Sequence, residues 1–280
     1  MKKNPSRPLQ YAGLWLLALA LLAGCDRVEL AYERGDWLAA RWAANLMDLD
    51  ATQRRDVRQR IQTYRDGPGR QRALELAEVF KGLAEGLSAP PHDRSLATAM
   101  EDLLEFSQRV AGDAIPDIVA VLVQLDGQQI NTLSRRLDEQ LAEEADRDRD
   151  ARQRRLEDSV TRWTGRLEAD QQTLLAGCLD DMPEAWHRQR DWRQQQNREL
   201  VGVLEAGAEQ DSLTAYYQAR WLLDPDQRPD EIRMLQRQGL RVMRQCLLDL
   251  NATLTPRQRE RAVSRLQRYE EALRNVGQRG

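Results

Sequence analysis

Apolar residues recur along this chain at steps of three and four, and the runs end at recognisable breaks. Ala73, Leu76, Phe80, Leu83 and Leu87 form one such run, and Ala262, Leu266, Tyr269, Leu273 and Val276 form another. This spacing puts each set on one face of a helix, and that face must pack against neighbours. No alternation of β-branched and polar residues is long enough to predict a strand. Breaks fall at Gly67-Pro68-Gly69, Ala89-Pro90-Pro91, Pro116, Pro183, Asp224-Pro225, Arg228-Pro229 and between Asn251 and Pro256. Proline is tolerated in a first helical turn, so several of these mark helix starts. The expectation is an all-α antiparallel helical bundle joined by short loops.

One ladder recurs. Leu49, Gln53, Val57, Ile61 and Tyr64 are spaced identically to Leu254, Gln258, Ala262, Leu266 and Tyr269, and the two segments 49–66 and 254–271 share six identical positions. Leu125, Gln129, Leu133 and Leu137 repeat the first steps, with Gln140 in the last place; Leu167, Gln171, Leu175, Leu179 and Met182 make a further copy. Helix initiation explains the pattern physically. Asp50, Asp126 and Thr255 can each accept a first-turn backbone N–H, and the glutamine three residues on can reach back to the cap. Glu168 is a poorer cap, which makes its copy the weakest. Four well-started helices with no shared function account for the ladder as well as a functional repeat does.

The first ten residues carry Lys2, Lys3 and Arg7 and no acid, and a 14-residue apolar stretch follows from Tyr11 to Gly24. A spanning helix needs about 17–25 apolar residues, so this stretch is short for one and fits an export signal. It ends in Leu22-Ala23-Gly24-Cys25, which resembles the lipobox of bacterial lipoproteins. The resemblance implies cleavage before Cys25, lipid on that cysteine, and a membrane as the first partner. Several acyl chains on one residue would satisfy the requirement for more than one anchoring signal. Asp26 is similar to the signal that retains enteric lipoproteins in the inner membrane. The expected division is a leader over 1–24, a lipidated N-terminus and first helix over 25–48, and a bundle over 49–280.

The whole chain has a formal net charge of −3, and losing the three basic leader residues takes it to −6. Its Arg-dense pieces, Arg147-Asp148-Arg149 and Arg152-Gln153-Arg154-Arg155, alternate with acids, as solvated helix faces do. A nucleic-acid binder would show a basic stripe instead. Past Cys25 only Cys178 and Cys246 remain, and in an exported protein such a pair is expected to form a disulfide. Glu184-Ala185-Trp186-His187 is a single Glu-x-x-His, whereas di-iron bundles need two plus further glutamates, and His92 supplies no second. Zinc has too few Cys and His ligands here. No Gly-x-Ser-x-Gly elbow and no phosphate loop occurs. No catalytic residue, metal or cofactor is expected. Tyr32, Trp37 and Trp42 suit either the membrane interface or the packing face of the first helix, and packing is favoured. Trp186 and Trp192 suit a helix junction better than a ligand platform.

Leu254-Thr255-Pro256-Arg257-Gln258 resembles the Leu-Thr-x-x-Gln motif of small periplasmic stress proteins, the spheroplast protein Y chaperone and the Cpx periplasmic inhibitor among them. Leu49-Asp50-Ala51-Thr52-Gln53 matches with Asp for Thr. That resemblance implies a helical protein that holds other chains without ATP. The lipobox, Leu30-Ala31-Tyr32, Asp36-Trp37-Leu38, the Leu49 motif, the Cys178 region with Met182-Pro183 and the Leu254 helix also resemble an uncharacterised family of proteobacterial helical lipoproteins. The leading expectation is a non-enzymatic envelope factor that binds a client or partner protein. An adaptor lipoprotein with one specific partner and a peptidoglycan hydrolase are the alternatives. An exposed concave apolar face would favour the first, a surface without marked features the second, and a deep acidic cleft the third.

Overall fold

The computed structural model describes residues 26–89, 94–145, 149–207, 209–221 and 229–278; the side chains of 26–34, 145, 183–187 and 220–221 lie outside that description. All regular structure among the described residues is helical. The elements are α1 (Asp26–Met47), α2 (Ala51–Asp66), α3 (Pro68–Ser88), α4 (Ser95–Leu122), α5 (Gly127–Ala145), α6 (Arg149–Thr164), α7 (Ala169–Asp180), α8 (Pro183–Glu205), α9 (Gln210–Trp221), α10 (Asp230–Thr253) and α11 (Pro256–Gln278). No described helix is long and apolar enough to cross a membrane.

Most of the expected breaks become helix ends. Pro68 and Pro183 open α3 and α8, Pro229 caps α10, and Pro256 opens α11. Asp224 and Pro225 lie outside the described residues. Pro116 is a correction: it sits inside α4, which runs unbroken through it. A proline there removes one ladder bond, to the carbonyl of Gly112, and strains that turn. Ile115 and Val119 on either side are 2% and 0% exposed, so burial of this turn outweighs the lost bond.

Three clusters form the interior. The first joins α1, α2, α4, α5, α8 and α9 around Leu46, Val57, Ile115, Val119, Leu133, Leu213 and Tyr217. The second joins α3, α4 and α11, and both striped segments meet in it: Ala73, Leu76 and Phe80 face Leu266, Tyr269, Leu273 and Val276. Tyr269 stacks on Phe80 at 5.6 Å between ring centroids and meets Trp163 of α6 at the same distance. The third cluster is Val160, Leu167, Leu175, Cys246 and Leu250, where α6, α7 and α10 meet. Here the Cys178–Cys246 disulfide ties α7 to α10 across 68 residues of sequence. Closing a loop of that size contributes about 4 kcal/mol by the chain-entropy account.

α3 depends on α11 for its cover. Chain ending at residue 228 uncovers Ala73, Leu76 and Phe80, and burying a side chain such as Leu or Phe is worth about 1.5–3 kcal/mol, a large share of the roughly 5–15 kcal/mol that holds a domain folded. By circular dichroism the longer chain is expected to melt in one cooperative thermal transition and the truncated chain to lose it. A sharp transition retained in the truncated chain would contradict this packing account.

Candidate functional site: paired glutamine junctions

Each Leu-x-x-x-Gln copy lies at a tight joint between two helices. The α1–α2 joint turns through Asp48, a non-glycine residue at φ 52°, with Leu49 N–H bonded back to the Ala44 carbonyl at 3.3 Å. The α6–α7 joint turns through Gly165 at φ 89°. Only glycine takes that backbone without steric cost, with Asn and Asp the most tolerant of the others. The cap exchange forms as expected at Asp50, whose carboxylate accepts the Thr52 and Gln53 N–H groups while its own N–H donates to Gln53 Oε1 at 3.0 Å. Asp126 with Gln129 and Thr255 with Gln258 repeat it. At Glu168 the glutamine half is equally complete, with Glu168 N–H donating to Gln171 Oε1 at 3.0 Å, while the Gln171 N–H donates to the Asp170 carboxylate.

The structure adds that these glutamines pair. Gln53 Nε2 donates to Gln129 Oε1 at 3.1 Å and Gln129 Nε2 donates back to Gln53 Oε1 at 2.6 Å. The second hydrogen on each Nε2 reaches the partner joint: Gln53 to the Gln124 carbonyl and Gln129 to the Asp48 carbonyl, both at 3.1 Å. Gln171 and Gln258 do the same, exchanging bonds of 2.9 Å and donating to the carbonyls of Thr253 at 3.0 Å and Arg166 at 2.8 Å. A primary amide has two hydrogens to give and two lone pairs to fill. All are used in each of the four, so none has an unmet polar group: Gln171 is 1% exposed, Gln258 6% and Gln129 7%, and Gln53 is half-buried. The pairing also brings two helix N-termini together, α2 with α5 and α7 with α11. Asp50, Asp126 and Asp170 supply the negative charge such positive ends favour.

The motif leucines seat the joints from below. Leu49 and Leu167 are buried, and Leu125 and Leu254 pack half-buried against the first and third clusters. Cys178 and Cys246 are bonded to each other. Cys25, the rest of the lipobox and His92 lie outside the described residues, as do the side chains of Asp26, Tyr32, Glu184, Trp186 and His187. No group of three potential metal ligands occurs among the described residues.

Sequence reasoning did not find the buried ionic groups around these joints. Asp36 on α1 is 3% exposed and accepts from Arg58 at 3.0 Å and Gln62 at 2.6 Å, both on α2. Burial pushes its carboxyl up, but the hydrogen bonds from Arg58, Gln62 and the Trp37 backbone, with the Arg58 charge, outweigh that and hold it below the usual 3.8. Arg72 grips Asp113 of α4 and Glu75 with two bonds each, and the Tyr64 hydroxyl donates to Asp113 at 3.2 Å. Between α5 and α8 runs a polar seam in which Arg193 pairs with Glu144, and Gln140 and Gln196 are 7% and 4% exposed. No signal in the sequence separates these charges from the many solvated ones.

The surface depressions among the described residues include two that are open and mixed in charge. One of about 510 Å³ follows α5 past Asn131, Ser134, Arg135, Asp138, Glu139 and Ala142; the other, about 280 Å³, lies between Lys81, Glu85 and Ser88 of α3 and Gln267 and Glu270 of α11. The exposed large apolar residues are Trp37, Leu38, Leu104, Val123, Met234 and Leu240, spread over α1, α4 with its C-terminal loop, and α10.

An all-helical chain whose joints are locked by paired glutamines and one disulfide defines the class. Residues 45–228 match the model of DUF6279, a family of unknown function, and the chain belongs to that family. No curated protein and no solved structure matches it.

Replacing Gln171 by Leu removes the Gln171 donor from the Thr253 carbonyl and the Gln171 acceptor from the Glu168 N–H, and takes one donor and one acceptor from the Gln258 amide. A cost of about 2–4 kcal/mol in urea denaturation is expected, since each orphaned buried group costs about 1–3 kcal/mol. The double replacement with Gln258→Leu is expected to cost clearly less than the two singles summed, and strict additivity would show that the pair does not couple. The Asp36 shift has a pH consequence. Its folded value is depressed, so its stabilisation is complete above about pH 4 and is lost as pH falls through the folded value. The stability gap between the protein and Asp36→Asn should therefore be full at pH 7 and shrink below pH 4; a gap independent of pH would contradict the ion pair.

Proposed function

We propose that this chain is a lipid-anchored protein of the bacterial envelope whose helical body faces the periplasm and binds one specific protein partner, without catalysing a reaction. The observation that carries the reading is the Cys178–Cys246 disulfide in a chain that opens with a basic and apolar leader ending in Leu-Ala-Gly-Cys. Disulfides persist in oxidising compartments, and export through such a leader reaches one. The likeness of the Leu-x-x-x-Gln copies to periplasmic stress proteins supports protein binding as the activity. Exposed large apolar residues are few among the described residues, and this favours an adaptor over a holdase, because a broad client site needs a sizeable apolar patch. Asp26 favours the inner membrane as the destination.

The anchoring is tested on the full chain produced in a lipoprotein-processing bacterium. The mature N-terminus should be Cys25 carrying a diacylglyceryl mass, and Cys25→Ser should abolish that mass and the membrane fraction together. A mature chain starting elsewhere, or one lacking lipid, would refute the anchor. The adaptor reading predicts one dominant cross-linked species in intact cells. It also predicts no suppression of client aggregation by the purified lipidated chain without ATP; near-stoichiometric suppression would replace the adaptor with a holdase.

A further inference from the structure

Over residues 35–47 the outward side of α1 is apolar with one arginine. Trp37 is 48% exposed and Leu38 54% exposed, and the Arg41 guanidinium lies over the Trp37 ring at 5.3 Å from its centroid. The opposite face of the same helix is spent on the interior, where Ala40, Ala43, Leu46 and Met47 are buried, and Trp42 also packs against the core. The one acid between residues 35 and 47 is Asp36, which is buried and satisfied by Arg58 and Gln62. The exposed side of α1 over that stretch therefore bears Trp37, Leu38, Arg41 and Asn45 and no acid.

The position of this face in the chain selects its occupant. α1 begins at Asp26, directly after the cysteine assigned as the lipid anchor, so only about 18 Å of helix separates Trp37 from the tether. Tryptophan favours the headgroup level of a bilayer, and arginine near the surface gains about 1 kcal/mol from anionic lipid. Over residues 35–47 the one exposed charge is Arg41, so this face meets an anionic bilayer without an exposed acid. We propose that the Trp37, Leu38 and Arg41 face of α1 docks on an anionic phospholipid surface, so that α1 lies along the membrane and holds the bundle low on it. The proposal rests on the lipid-anchor reading of Cys25.

The test uses the processed, full-length lipidated chain reconstituted into phosphatidylglycerol and phosphatidylethanolamine vesicles containing brominated phospholipid. Bromine quenches tryptophan that enters the headgroup region, and the Trp37→Phe variant isolates the contribution of one ring. Quenching in the protein should exceed that in Trp37→Phe. The difference should fall by about half or more in Arg41→Glu and in phosphatidylcholine vesicles, as the electrostatic contribution requires. Equal quenching of protein and Trp37→Phe, in vesicles that carry the lipidated chain on flotation, overturns the docking and leaves the anchor standing. A chain that neither bears lipid at Cys25 nor floats overturns the anchor and this proposal together.

Discussion

The architecture depends on an amide used to its full capacity. A glutamine side chain buried at a helix joint costs several kcal/mol if its hydrogens and lone pairs are unmet. Here each one satisfies a helix N-terminus on its own side and a loop carbonyl on the other, through a second glutamine in the same arrangement. The same logic recurs around Gln171 and Gln258 with different caps and a different turn. Two joints separated by 76 or 87 residues of sequence are thereby held face to face, and this fixes the directions of the helices that leave them.

The two pairs divide the work. The first fixes the joints of α1–α2 and α4–α5 above the larger cluster, and the second fixes those of α6–α7 and α10–α11 above the cluster that contains the disulfide. α3 and α11 then close the middle, with Tyr269 between Phe80 and Trp163. The region matched by the family model stops at residue 228, before Cys246, Gln258 and Tyr269. Each of those completes a contact begun inside the matched region, so the folding unit of this chain extends through α11.

Much of this was legible in the sequence because it is local. Helical periodicity, proline starts and capping boxes are set within one or two turns, and the stripes on α3 and α11 lie where their spacing puts them. The four copies of Leu-x-x-x-Gln were visible, but their partnership was not, since local helix initiation accounts for every residue in them. Neither hydrogen on each Nε2 finds an acceptor in cap chemistry, which uses only Oε1, and that surplus was the available signal. Pro116 misled for the opposite reason: its local preference is to break a helix, and the burial of Ile115 and Val119 that overrides it is tertiary. Asp36 and Arg72 were lost among the 45 acids and 42 bases of a heavily charged chain, where only the fold separates an ion pair between helices from a solvated charge.

The paired-amide account makes a direct statement about hydrogen exchange. The side-chain amide hydrogens of Gln171 and Gln258 each sit in two saturated bonds inside the bundle, whereas Gln172 beside them is exposed. Nitrogen-resolved exchange of the glutamine side chains measures them separately in one experiment. The account predicts that Gln171 and Gln258 exchange only through the opening that unfolds the domain, with the stability of global unfolding. Exchange of both as fast as Gln172 would mean that the pairs open freely in the folded protein, and would contradict the role given to them here.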